Sequence, residues 1–129
     1  MKQRINEHTA FHNFRNDYRF AVQTITGIAM INYEDVLLFE YVKHARKWQV
    51  RLVNDRIHKL RSTVNSGDIT SVSSLFVQIN QYCIINIIHL LGIENKTQKC
   101  IFDAPLQMDA DRTVSPLYYK KIKDMLNIL

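Results

Sequence analysis

The stretch KHARKWQVRLVNDRIHKLR, residues 43–61, sets the reading of the whole chain. It carries seven Lys/Arg, two His, one acid and one Trp. At 100° per residue, Leu38, Tyr41, Val42, Ala45, Trp48 and Leu52 share one side of a helix, continued by Val53, Ile57, Leu60 and Val64. This spacing predicts a helix over about 33–64. Asn32 suits its N-cap, and Glu34 and Asp35 suit the positive end of its dipole. The sequence NSGD at 65–68 supplies a stop, with Gly67 fitted to a left-handed position after the last turn. Such a helix is roughly 45 Å long.

Similar stripes lie on either side. Phe11, Phe14, Tyr18, Ala21, Val22, Ile25, Ile28 and Ala29 follow 3-4 spacing over 9–31, with Gly27 inside the stripe as a point of close helix crossing. Val72, Leu75, Phe76, Ile79, Cys83, Ile87 and Leu90 do the same over 69–91, capped by Asp68 or Thr70 and stopped at Gly92. A last helix starts at Ser115-Pro116, where Ser caps and Pro fits the first helical position. Its stripe is Tyr118, Ile122, Met125 and Leu129. Residues 93–114 read as an irregular connector.

The chain has 129 residues, the size of one domain spanning 1–129, and only three Gly and two Pro. Sandwiches and barrels need turn residues every few strands, so this scarcity argues against them. The expected fold class is all-α: a four-helix bundle with a long second helix and an irregular connector before the C-terminal helix. Ile84, Ile85, Ile88 and Leu91 coat the remaining sides of the third helix, and a helix apolar all round must be buried all round. These four residues are therefore expected to form the interface of a homo-oligomer, with Asn86 fixing its register.

Formal charge is +5, from seventeen Lys/Arg against twelve Asp/Glu, which favours anionic partners. Cys83 and Cys100 are too few for a disulfide scaffold or a four-cysteine zinc site. The N-terminal residues lack the apolar run of a signal peptide, and the run at 82–93 is too short to span a bilayer. A cytoplasmic protein with no membrane segment is expected.

On the helical wheel Lys43, Lys47, Arg51, Asn54, His58 and Arg61 form a basic ribbon about five turns long. Such a ribbon suits a phosphate backbone or an acidic protein. It is equally the polar outer side that any amphipathic helix needs. Arg46 and Arg56 fall beside the apolar arc, where they either find a carboxylate or extend their heads past it. Arg51 and His58 are seven apart, on one side of a helix. Arg-x6-His resembles the loose Arg-x4–6-His pattern of the HEPN helical-bundle ribonucleases. That resemblance implies a metal-independent, RNA-cleaving dimer, with His58 as acid/base and Arg51 on the phosphate. Leu52 stands where that family commonly has Asn.

His8 and His12 sit one turn apart in a helical N-terminus but lack further metal ligands, and Asp103, Asp109 and Asp111 lack the spacing and Gly of a calcium loop. No phosphate loop, nucleophile elbow or dinucleotide fingerprint is present, so no cofactor or metal is expected. Cys83 reads as a packed hydrophobe and Cys100, beside Lys99, as the more reactive thiol. The expected function is a non-enzymatic oligomerising helical module that presents the basic ribbon to nucleic acid or an acidic protein. The alternatives are the ribonuclease and a purely structural adaptor.

Overall fold

Alternation with a period of two, not 3.6, governs the chain. The computed structural model describes residues 18–104 and 111–129. In KWQVRL (47–52), Trp48 and Val50 are buried and Leu52 packs on the same core, while Lys47, Gln49 and Arg51 point the other way. That is the pattern of a strand with one face in a core. The expected all-α four-helix bundle is thereby overturned: the domain is mostly β.

Strands β1 (Arg19–Thr24) and β2 (Gly27–Asn32) make an antiparallel hairpin where the first helix was expected. A 3-10 turn, Tyr33–Asp35, leads into the meander β3 (Val36–Val42), β4 (Lys47–Leu52) and β5 (Ile57–Lys59), which replaces the long second helix. The third helix resolves into α1 (Ser66–Val72), β6 (Phe76–Asn80), β7 (Cys83–Asn86), a 3-10 turn at Ile87–His89, and β8 (Leu90–Ile93). Part of the supposed connector is β9 (Cys100–Phe102), paired with β8. The last helix, α2 (Pro116–Met125), starts after Ser115 with Pro in its first turn. The main sheet is antiparallel in the order β5-β4-β3-β7-β6.

The scarcity of Gly and Pro misleads because other residues make the tight turns. Arg46 (φ 53°), Asp55 (φ 71°) and Gln98 (φ 58°) all take left-handed conformations. These sit in the β3–β4, β4–β5 and β8–β9 connections. Each costs about 1–2 kcal/mol relative to the right-handed region, and the strand pairing on either side holds it there. Gly27 (φ 150°) closes the first hairpin in a conformation that disfavours a side chain. Gly67, expected just past a helix end, lies inside α1, whose N-cap is Asn65 in a reciprocal capping box with Asp68.

Two cores sandwich the sheet. Phe39, Trp48, Val50 and Ile84 point to one face, under the β1–β2 hairpin and Ile69 of α1. Leu38, Ile79, Cys83 and Ile85 point to the other, under Cys100, Val114 and Ile122 of α2. Ile84 and Ile85 are thus consumed within one subunit, on opposite faces of β7. Ile88 and Leu91 remain 45% and 68% exposed. The helix with no polar side does not exist, and with it goes the reason for inferring a homo-oligomer.

Asn86, fully buried, ties the sheet to the turn before β3. Its Nδ2 donates to the carbonyls of Tyr33 (2.7 Å) and Val36 (2.9 Å), and its Oδ1 accepts from Ile88 N–H. Asn86→Ala removes the side-chain donor to the Val36 carbonyl and one of the two donors to the Tyr33 carbonyl, which keeps the Val36 N–H, and a loss of about 1–3 kcal/mol is expected. Urea unfolding checks it: the midpoint falls while the slope is unchanged. Arg46→Gly removes the left-handed penalty and is expected to raise stability by about 0.5 kcal/mol, whereas Arg46→Ala, which keeps a Cβ, gives no such gain.

Candidate nucleic-acid interface

Strand direction sorts the charge. β3 runs up to Val42, turns through 43–46 and returns from Lys47. β5 runs parallel to β3, and the Leu60 N–H bonds the Trp48 carbonyl, so Lys59 and Arg61 leave the sheet at that same end. The β6–β7 turn arrives there too, through the bond from Tyr41 N–H to the Tyr82 carbonyl. The Thr24–Leu60 bridge brings the tip of the first hairpin alongside. Lys43, Arg46, Lys47, Lys59 and Arg61, with His44, therefore gather at one end of the sheet. Neither the β3–β4 turn nor the exit of β5 contains an acid.

Aromatic rings stiffen this end. Lys43 Nζ lies 4.2 Å from the centre of the Tyr82 ring. Tyr82 stacks on Tyr41 at 5.9 Å, and Tyr41 meets Trp48 edge-on at 5.5 Å. The ammonium is thus held over a ring whose own position is fixed by the sheet. Trp48 itself is buried in the first core. Asn80 secures the β6–β7 turn: its Oδ1 accepts from Tyr82 N–H at 2.8 Å, and its Nδ2 donates to the carbonyls of Asp111 and Thr113, both at 2.9 Å. Between the β3–β4 turn and β5 lies a cleft of about 290 Å³, lined by Val42, His44, Ala45, Lys47, Gln49 and Lys59 among others.

The opposite end is acidic. Glu34 and Asp35 precede β3, Asp55 occupies the β4–β5 turn, and Asp103 follows β9. His89 clamps this end, with Nδ1 2.9 Å from Asp103 Oδ1 and Nε2 2.5 Å from the Glu34 carbonyl. The domain therefore carries a dipole of side-chain charge along its strands.

The expected ribbon is divided by this arrangement. Lys43, Lys47 and Arg61 come together at the basic end. Asn54 lies in the turn at the far end, where its Oδ1 accepts from Arg56 N–H. Arg51 is spent inside the domain: Nε and Nη2 reach Glu40 Oε1 at 3.0 and 2.7 Å, and Nη1 reaches Asp55 Oδ1 at 2.8 Å. The Arg51 and Glu40 side chains are only 12% and 13% exposed. Burial lowers the Arg51 pKa, but the hydrogen bonds its guanidinium donates to Glu40 and Asp55 outweigh this and raise it, so its charge is permanent and already neutralised.

His58 pairs with Val50 and Arg51 with Ile57. Neighbouring strand residues point to opposite faces, so Arg51 and His58 cannot meet on one phosphate. The helical arrangement implied by the ribonuclease resemblance is absent, and its catalytic pair is not assembled. Arg46 and Arg56 are both exposed in turns. Cys100, expected to be the reactive thiol, is buried beside the Cys83 core; burial pushes its pKa up to about 11 and raises that of Cys83 further. Both thiols are protonated at neutral pH and poor nucleophiles. The His8/His12 pair and Asp109 lie outside the described residues. Sequence reasoning missed Arg46 and Lys59 as members of the cluster. The alternation in KWQVRL, followed by Asn54-Asp55 as a turn, was the signal that would have found them.

No protein-family profile and no curated protein matches the chain. Among solved structures it is similar to the LytTr DNA-binding domain of a methyl-accepting/DNA response regulator from Bacillus cereus. The two superpose with a TM-score of 0.61 at 16% identity, over 86% of this chain and 98% of that one. The fold is LytTr-like. At this identity the likeness concerns architecture. No helix among the described residues is long and apolar enough to cross a membrane.

Arg51→Ala leaves Glu40 without a cation at a site nearly closed to water, with only Gln49 Nε2 at 2.7 Å as partner, and a loss of about 1–3 kcal/mol is expected. Lys43→Ala and Arg61→Ala, at exposed positions, are expected to stay within about 0.5 kcal/mol of the parent. Thermal unfolding of the three variants side by side makes the comparison.

Proposed function

We propose that this domain binds duplex DNA, laying the basic end of its sheet against the phosphates. The observation that carries this reading is the convergence of Lys43, Arg46, Lys47, Lys59 and Arg61 from separate elements onto one end, where these cations outnumber exposed Asp111, which is held beside the β6–β7 turn through its backbone. A fold shared with a DNA-binding domain supports it. Physically, the three turns at this end are short and pinned by the sheet. The cations are pre-positioned, and little side-chain and loop freedom is lost when phosphates arrive. The acidic far end repels the duplex and so orients the domain during approach. Contacts of this kind release counterions and position the protein, while leaving base sequence to be read by other groups.

Fluorescence anisotropy with a labelled duplex, titrated at several salt concentrations, tests the reading. Affinity is expected to fall steeply with salt. Arg46→Glu, Lys47→Glu and Arg61→Glu should each weaken binding and lower the salt slope by about one or more. Arg56→Glu, at the acidic end, should leave affinity nearly unchanged. Equal damage from Arg56→Glu and Arg46→Glu, or binding indifferent to salt, refutes the assignment.

A further inference from the structure

On the side of the domain formed by β8, β9 and α2, large apolar side chains stand exposed. Seven of the twelve exposed large apolar residues among those described follow position 87, including Ile88, Leu91, Ile101 and Leu117. Cys100 and Phe102 of β9 point to the core, so Ile101 faces outward at 49% exposure, as does Leu91 of β8. Beside this ribbon runs an open cleft of about 430 Å³ between β8 and α2, floored by Leu90, Leu91, Ile93, Tyr119, Leu126 and Ile128 among others. Apolar side chains exposed along a concave cleft are available to a contact that a flat surface would not offer.

Charge around the cleft selects the occupant. Lys123 lines it, with Nζ 5.5 Å from the Tyr119 ring, and exposed Lys120 stands one turn earlier on α2. Lys121 falls on the opposite side of α2, and Lys96 and Lys99 lie in the β8–β9 connection. Of the nearby acids, Asp103 is paired with His89, while Glu94, whose Oε2 accepts from Thr97 N–H (2.5 Å) and Oγ1 (2.7 Å), has a lowered pKa and keeps its negative charge in the β8–β9 connection. Asp124 lies on α2. Two copies meeting by a twofold axis would set these lysines against their own images, which disfavours self-pairing. A concave apolar floor with a cationic rim suits a ridge of apolar side chains flanked by carboxylates.

We infer that the β8–α2 cleft is a docking site for an acidic peptide segment of a partner protein, with apolar side chains seated on Leu91, Ile93 and Tyr119 and carboxylates facing Lys120 and Lys123. Ile88 and Leu91, expected from the sequence to lie in an interface between copies, would then border an interface with a different chain. This site is separate from the proposed DNA surface.

The test uses the full chain and two short synthetic peptides of Leu and Phe, one interspersed with Glu and Asp, the other with Lys at the same positions. By anisotropy the acidic peptide is expected to bind at least about tenfold more tightly than the basic one. Leu91→Asp should abolish that binding. Lys120→Glu with Lys123→Glu should reverse the preference. All these side chains are exposed, and circular dichroism verifies that the variants fold. DNA affinity should be unaffected by Leu91→Asp, which separates failure here from failure of the DNA reading. Equal affinity for both peptides, or acidic-peptide binding that survives Leu91→Asp, overturns the proposal. So does concentration-dependent self-association, or adsorption to phosphatidylserine vesicles, that Leu91→Asp eliminates while the peptides do not bind.

Discussion

Burial of β3 on both faces is the constraint from which the rest of the structure follows. Val36, Leu37, Leu38 and Phe39 are almost wholly inaccessible, and they divide between the two cores. A strand greasy on both sides must be central and covered twice. β4 and β7 flank it, the hairpin and α1 cover one side, and α2 with β9 covers the other. Burying four such side chains contributes on the order of 6–12 kcal/mol before chain entropy is counted. Asn86 then fixes how the turn into β3 meets β7, because its amide has no other place to find acceptors in a dry interior.

That frame also explains the charge. Antiparallel strands return the chain to the same two ends repeatedly, so residues far apart in sequence share an end if they sit at the same turn level. Lys43, Arg46 and Arg61 share one, and Glu34, Asp55 and Asp103 share the other. Arg51, halfway along β4, belongs to neither, and Glu40 and Asp55 claim it. The basic stretch that dominates the sequence is therefore not a single surface. Part of it is a candidate phosphate surface, part is an internal ion pair, and part decorates the acidic end.

The helix at Ser115-Pro116 was legible because its signals are local, a Pro tolerant of the first turn and Tyr118 and Ile122 at helical spacing; Ser115 makes no side-chain cap bond, and Met125 and Leu129, expected in the stripe, are exposed. Residues 33–64 were not. Leu38, Tyr41, Val42, Ala45 and Trp48 fit a 3.6-residue period as an accident of two strands joined by a four-residue turn. Short apolar runs fit either period, and β-branched content and chain length must arbitrate. VLLFEYV, CIIN and RFAVQT are rich in β-branched and aromatic residues, which favour pleated surfaces. Scarcity of Gly and Pro is no bar to a β fold here, since Arg46, Asp55 and Gln98 take the turn conformations that Gly usually supplies. Of the expected ribbon, Lys43, Lys47 and Arg61 end up together for a reason unconnected with a helical wheel.

What the sequence by itself determined is the inventory: one domain's worth of apolar side chains, an excess of Lys and Arg concentrated in 43–61, and a C-terminal helix with Pro in its first turn. These depend on residue identity and on contacts a few positions apart. Which cations stand together, which is neutralised and which apolar residues stay outside were decided by strand register. Register is set by pairing between segments distant along the chain, such as Leu38 with Ile85 and Val50 with His58. A shift of one residue sends every side chain of a strand to the other face, so no local period could have reported it.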